Sequence, residues 1–197
     1  MNSLDKEVHA NHSEYEIRKK YLNMTMGDNF AFVIEEDFIP IESSDRYKPL
    51  LLGDHFNFGG INLEICVGAG HTLGLVTILL VEERTLLLGD ACNPFTFLFD
   101  EYSLGVSSNE KTLIELDKLT NGRYDRVYLS HGDGDAPKVM LDSVLAVCED
   151  IKAGRTDDVP FNFMGHTVFI AKKIDETMKR LDGGLGNIVY SKEKVNQ

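Results

Sequence analysis

Residues 61–90, INLEICVGAGHTLGLVTILLVEERTLLLGD, constrain the fold more than any other part of the chain. Ile61, Leu63, Ile65 and Val67 alternate with Asn62, Glu64 and Cys66, and a period of two predicts a strand with one face buried. Residues 75–81 are almost continuously apolar and rich in strand formers, which predicts a strand buried on both faces. Glu82, Glu83 and Arg84 make a polar turn, and residues 85–88 return as the partner strand of a hairpin. Strands this closely spaced commit the chain to a sheet, and a sheet needs an apolar cover.

Helices are the expected cover. Ser107-Ser108-Asn109-Glu110 reads as the cap of a helix carrying Leu113, Leu116 and Leu119, with Asn121-Gly122 as its stop. Pro137 opens another, whose apolar face carries Val139, Met140, Val144, Val147, Cys148 and Ile151, and Gly154 ends it. Near the N-terminus, Ser13-Glu14-Tyr15-Glu16 has the form of a capping box, predicting a helix over 13–21. That places His9 on a strand and His12 at a helix start. AFVIEE, residues 31–36, is strand-like, and Pro40, Ser43, Ser44 and Pro49 then punctuate a loop. Further strands are expected at 126–130 and 167–171, then a short helix and a last strand at NIVY, 187–190. There is no internal repeat, low-complexity tract or linker. The expectation is one domain over 1–197, of α/β (α+β) class, with a mixed sheet covered by helices.

Composition narrows the partners. Apolar residues make up 43% of the 197 and charged residues 26%, as in a globular protein. The net charge of -12 repels phosphate backbones, and the basic runs Arg18-Lys19-Lys20 and Lys172-Lys173 are too small to reverse that. Nucleic acid is therefore not an expected partner. Cys66, Cys92 and Cys148 are odd in number and far apart, which fits a reducing compartment better than a disulfide framework. No apolar run reaches the roughly 18 residues of a membrane span, and the opening residues lack a signal core. A cytoplasmic protein without membrane contact is expected.

Three polar residues stand just past predicted strand ends, each between small neighbours: Gly70-His71-Thr72, Gly89-Asp90-Ala91 and Ser130-His131-Gly132. Glycine lets the backbone turn sharply and leaves space beside the side chain. If the strands share one sheet, their ends form one rim where two imidazoles and a carboxylate converge. That set suits Zn²⁺, with Mn²⁺ or Fe²⁺ as poorer alternatives. Taken singly, each has a blander reading. A histidine at a strand end is more often a hydrogen-bonded surface residue, and Asp90 after glycine is equally a turn-former.

These motifs resemble the metallo-β-lactamase superfamily. Gly70-His71-Thr72-Leu73-Gly74 matches its G-H-T-x-G loop, with leucine where proline is usual. Gly89-Asp90 matches the G-D that ends the next hairpin, and Ser130-His131-Gly132 the short strand ending in histidine and glycine. The resemblance implies an αββα sandwich and a metal-dependent hydrolase of esters, thioesters, amides or phosphodiesters in small-molecule substrates. It implies His71 on a first metal, His131 on a second and Asp90 bridging them as a catalytic ligand.

The family's other ligands come from an H-x-H-x-D-H motif, and the sequence contains none. Before His55 the only histidines are His9 and His12, spaced H-x-x-H. The resemblance thus implies that part of the first sheet and four ligands are missing, leaving an open apolar face and strand edge. The alternative expectation is a catalytically impaired remnant or interaction module, with a homo-oligomer covering that face. His55 reads as a hairpin residue, His166 as preceding a strand, and Cys92 as a small buried filler or a soft donor. The aromatic segment 92–105, CNPFTFLFDEYSLG, is expected to be a loop, either walling a substrate pocket or packing on the core.

Overall fold

The computed structural model describes residues 2–163 and 165–197, and it divides into two compact units that meet between Leu50 and Leu51 in the chain. The first unit holds helices α1, Lys6–Ser13, and α2, Tyr15–Met26, then short 3-10 turns at Gly27–Phe32, Glu35–Asp37 and Ser44–Arg46. None of its described residues is buried. It is held by contacts such as Tyr15 edge-on to Phe38 and Arg18 donating to the Ile39 carbonyl.

Three expectations are corrected in this unit. Residues 31–36 form no strand. A strand needs a hydrogen-bonding neighbour, and here the Asp37 carboxylate instead accepts from Ile34 N and turns the chain. His9 lies within α1 and not on a strand. Ser13 does not cap a helix start. It ends α1, where its hydroxyl donates to the His9 carbonyl, and α2 begins after Glu14 without a side-chain cap.

In the second unit, Leu51–Gln197, the strands are β1 His55–Asn57, β2 Asn62–Val67, β3 Val76–Leu80, β4 Thr85–Gly89, β5 Thr96–Leu98, β6 Arg126–Leu129, β7 Asp135–Ala136, β8 Val159–Phe163, β9 His166–Ile170 and β10 Ile188–Tyr190. Helix α3 covers Val106–Thr120 and helix α4 Met140–Lys152. The first sheet runs β1-β2-β3-β4-β6-β7, and the second β5-β10-β9-β8. The mixed α/β class and the strand order of the 61–90 meander are as the sequence predicts, but burial in β2 follows position along the strand and not one face: Ile61 is exposed, Leu63 is half-buried, and Ile65, Cys66 and Val67 are all buried. Within the first sheet only the β4–β6 pair is parallel, because helix α3 lies between them and brings the chain back across the sheet.

One core joins both sheets and both helices. Leu79, Leu86, Leu88 and Val127 of the first sheet meet Val106, Leu113 and Leu116 of α3 and Val144, Val147 and Cys148 of α4. Leu98, Ile188 and Tyr190 of the second sheet belong to the same cluster. The stretch 75–81 is not equally buried on both faces. Thr77 and Leu79 are wholly buried, whereas Val76, Ile78 and Leu80 on the other face are only partly so. Register places Ile65, Ile78, Leu87 and Tyr128 in one row across that second face.

Both helix stops are as predicted, with Gly122 and Gly154 in the left-handed region at φ 74° and 66°. The helix starts differ. No side chain caps α3, and Ser107 instead gives both its backbone N–H and its hydroxyl to the Val195 carbonyl. The helix expected after residue 171 is replaced by a turn closed by an Ile174–Arg180 bridge. Among the described residues no helix is long and apolar enough to cross a membrane.

Candidate functional site

Strand direction builds the rim. Gly89 and Leu129 stand opposite each other at the C-terminal ends of the parallel strands β4 and β6. The next residues therefore emerge side by side, and Asp90 Oδ1 lies 3.0 Å from His131 Nε2. The Asp90 side chain is 27% exposed and that of His131 71%. Gly89 makes the turn possible, since its φ of 56° disfavours other residues. Strand β2 runs in the same direction as β4, because both are antiparallel to β3. Its C-terminal end faces the same rim, and His71 follows four residues later.

His71 is oriented from behind. Its Nδ1 lies 3.1 Å from the Phe97 carbonyl, which only accepts, so Nδ1 is the donor, and in the neutral tautomer that this contact selects Nε2 is the acceptor. A histidine that binds a metal through one nitrogen typically gives its other N–H to such an acceptor. The loop carrying it is fixed by Leu104 N donating to the Gly70 carbonyl at 2.8 Å.

Asp90 is also held from its own loop. Asn93 Nδ2 donates to Asp90 Oδ1 at 3.3 Å, Asn93 Oδ1 accepts from Phe95 N at 2.7 Å, and Asn93 N donates to Thr96 Oγ1 at 3.1 Å. This residue carries no motif, and only the Asn93-Pro94 turn signal marks it in the sequence.

The donors fit a divalent cation in part. Two ligands about 2.0–2.1 Å from a tetrahedral zinc stand roughly 3.3 Å apart, close to the Asp90–His131 separation. Their number falls short. Among the described residues no group of three or more His, Cys, Asp or Glu side chains is gathered as a metal site, while a catalytic zinc takes three protein ligands. His71 shares the rim without joining the pair in such a group.

The other histidines and Cys92 have surroundings of their own. His12 Nδ1 pairs with the Val8 carbonyl at 2.9 Å, and the His9 ring packs edge-on to Tyr47. His55 faces Glu64 across the β1–β2 pair, at 3.9 Å. His166 opens β9 with its ring 5.7 Å from Phe99. Cys92 is wholly buried, and burial, seconded by Cys148, pushes its thiol well above the ordinary range, as for a small buried filler.

The aromatic segment is not simply a loop, since it contains β5. Thr96 and Leu98 are buried, whereas Phe95, Phe97 and Phe99 pack on Val168, Ile170 and Val189. Phe97 sits beside both Phe163 and the His71 ring, at 5.1 and 6.4 Å. Phe95, Phe97 and Phe99 alternate with Thr96 and Leu98 in the sequence, and that period of two is the strand signal there.

The chain is similar to several solved structures. It is similar to a metallo-β-lactamase from Pontibacter korlensis, with 20% identity, a TM-score of 0.40, and 50% of this chain and 46% of that one covered. It is similar to an archaeal metallo-β-lactamase superfamily protein from Sulfolobus tokodaii, with 14% identity, a TM-score of 0.48, and 83% and 60% covered. A metallo-β-lactamase family protein from Thermus thermophilus gives 19%, 0.47, 81% and 56%. The chain thus spans 46–60% of the length of these three structures. No protein-family model and no curated protein matches the chain.

Proposed function

We propose that this chain carries the strand-end rim of a metal-dependent hydrolase of the metallo-β-lactamase type. Its substrate would be a small molecule with an ester, thioester, amide or phosphodiester bond, and its ion zinc, with iron or manganese as alternatives. A cytoplasmic location belongs to the same reading. The observation that supports it is the 3.0 Å pairing of Asp90 and His131 at the ends of adjacent parallel strands, on the rim that also bears His71. A bound divalent ion supplies acidity, bringing the pKa of a coordinated water toward neutrality. The chain's own residues orient the donors. Asn93 holds one carboxylate oxygen of Asp90, and the Phe97 carbonyl fixes the tautomer of His71.

A second reading has its own observations. Among the described residues the gathered donors are two, and Phe32, Ile34 and Ile39 expose 83%, 58% and 76% of their surface. These favour a catalytically impaired module that associates through apolar surface. Equilibrium dialysis against zinc, read by elemental analysis, separates the two, with light scattering for mass and turnover of generic esters and phosphodiesters for activity. Zinc retained by the chain and lost on Asp90→Asn or His131→Ala supports the hydrolase reading. A chain that stays zinc-free overturns it, and an inactive dimer or larger assembly then favours the module.

A further inference from the structure

Asn93 is 5% exposed, and its side chain is engaged at both ends. Its Oδ1 takes the N–H of Phe95, two residues on, in a local turn that Asn forms readily. Pro94 between them stiffens that turn by fixing its own φ. A backbone N–H needs an acceptor and a carboxylate needs a donor, so the amide has one allowed orientation, with Nδ2 toward Asp90. Its backbone N–H is anchored on Thr96 Oγ1, and Thr96 is itself buried in β5 with its N–H on the Asn187 carbonyl. The chain of contacts therefore runs from the second sheet, through Asn93, to the carboxylate at the end of β4.

We infer that Asn93 is a positioning residue, whose buried side-chain amide holds Asp90 Oδ1 at the place where it meets His131 Nε2. Without it, the Asp90 carboxylate sits on a short loop between Gly89 and Ala91, where among the described residues only His131, itself largely exposed, also meets that oxygen. What the positioned carboxylate is for rests on the proposed hydrolase reading. That it is positioned by Asn93 does not.

The test uses the full chain and two readouts. In the metal-free protein, the side-chain amide signals of Asn93 are followed by NMR in wild type and in Asp90→Ala. A clear displacement of those signals with the rest of the core unchanged is expected, and signals that stay in place overturn the inference. Asn93→Ser then keeps an acceptor for Phe95 N but has no amide to reach Asp90. Its zinc affinity, measured against a chromophoric chelator, should fall about 10-fold or more at unchanged melting temperature, as for other partners of metal ligands. Wild-type affinity in Asn93→Ser overturns the inference. A wild-type chain that takes up no zinc overturns the hydrolase reading instead, and the NMR comparison alone then decides the role of Asn93.

Discussion

Asn109 occupies the space that a β-carbon on Gly70 would need. Asn109 is wholly buried on α3 with its Nδ2 toward Cys148 Sγ, and Gly70 begins the loop that carries His71. Neither partner is free to move, since Leu104 N also grips the Gly70 carbonyl. Gly70→Ala should therefore overpack the site and destabilise the protein by about 1–3 kcal/mol in urea unfolding. Adding Asn109→Ala should recover part of that loss, because the two changes share one contact. A neutral Gly70→Ala would show that the loop is not seated on α3.

The rim illustrates what the sequence makes legible. Period two in residues 61–67 and the hairpin after it are local signals, and local signals place β2, β3 and β4. The shared direction of β2, β4 and β6 follows from those assignments, so the meeting of Asp90 with His131 is legible from local signals and strand direction together. Asn93 is not legible that way. Its role depends on where the second sheet places Thr96, a contact of tertiary origin with no spacing of its own. The failures near the N-terminus have the opposite cause. Residues 31–36 have strand propensity, but propensity needs a neighbouring strand to satisfy its amides, and none is provided among the described residues.

Burial separates two leucines, one on the first sheet and one on the helix that covers it. Leu86 is wholly buried in the common core, while Leu119 on α3 is 46% exposed. Leu86→Ala should cost about 2–5 kcal/mol through lost burial and the cavity left behind. Leu119→Ala should cost less than about 1 kcal/mol. Both are read from urea midpoints at constant m-value, and equal costs would contradict the placement of the core.

Arg123 and Glu64 form an ion pair through one nitrogen, Arg123 Nη2, which lies 2.6 and 2.7 Å from the two carboxylate oxygens, while Nη1 donates to the Leu119 carbonyl. Glu64 is 20% exposed and Arg123 40%, so the pair is partly shielded. It ties β2 to the segment after α3. Arg123→Lys keeps the charge but cannot meet Glu64 and the Leu119 carbonyl from two separate nitrogens, and should be destabilised by about 0.5–1.5 kcal/mol rather than behave as wild type. A thermal melt at low and at high salt checks it, because the loss should shrink only modestly in salt for a partly buried pair.

The pH dependence of stability should carry the mark of Asp158 and Tyr190. Burial pushes the Asp158 carboxyl up, but hydrogen bonds from Thr156, Tyr190 and Lys192 together outweigh it and bring the pKa down from 3.8 to about 2. A depressed folded-state value means stability that is complete above pH 3.8 and is lost as pH falls toward 2. The carboxylate is 31% exposed, so the contribution is on the order of 1–2 kcal/mol after screening. For Tyr190, burial first and the Asp158 carboxylate second raise the phenol from 10 to about 12. The sign is reversed there: its contribution is complete below pH 10 and disappears as pH rises toward 12. Tyr190→Phe should thus remove the alkaline loss due to this phenol and also flatten the acid limb, since Asp158 loses one of the donors that stabilise its charge. Urea unfolding across both limbs reads the two effects in one variant. A change confined to the alkaline limb would mean that Thr156 and Lys192 hold Asp158 without the phenol.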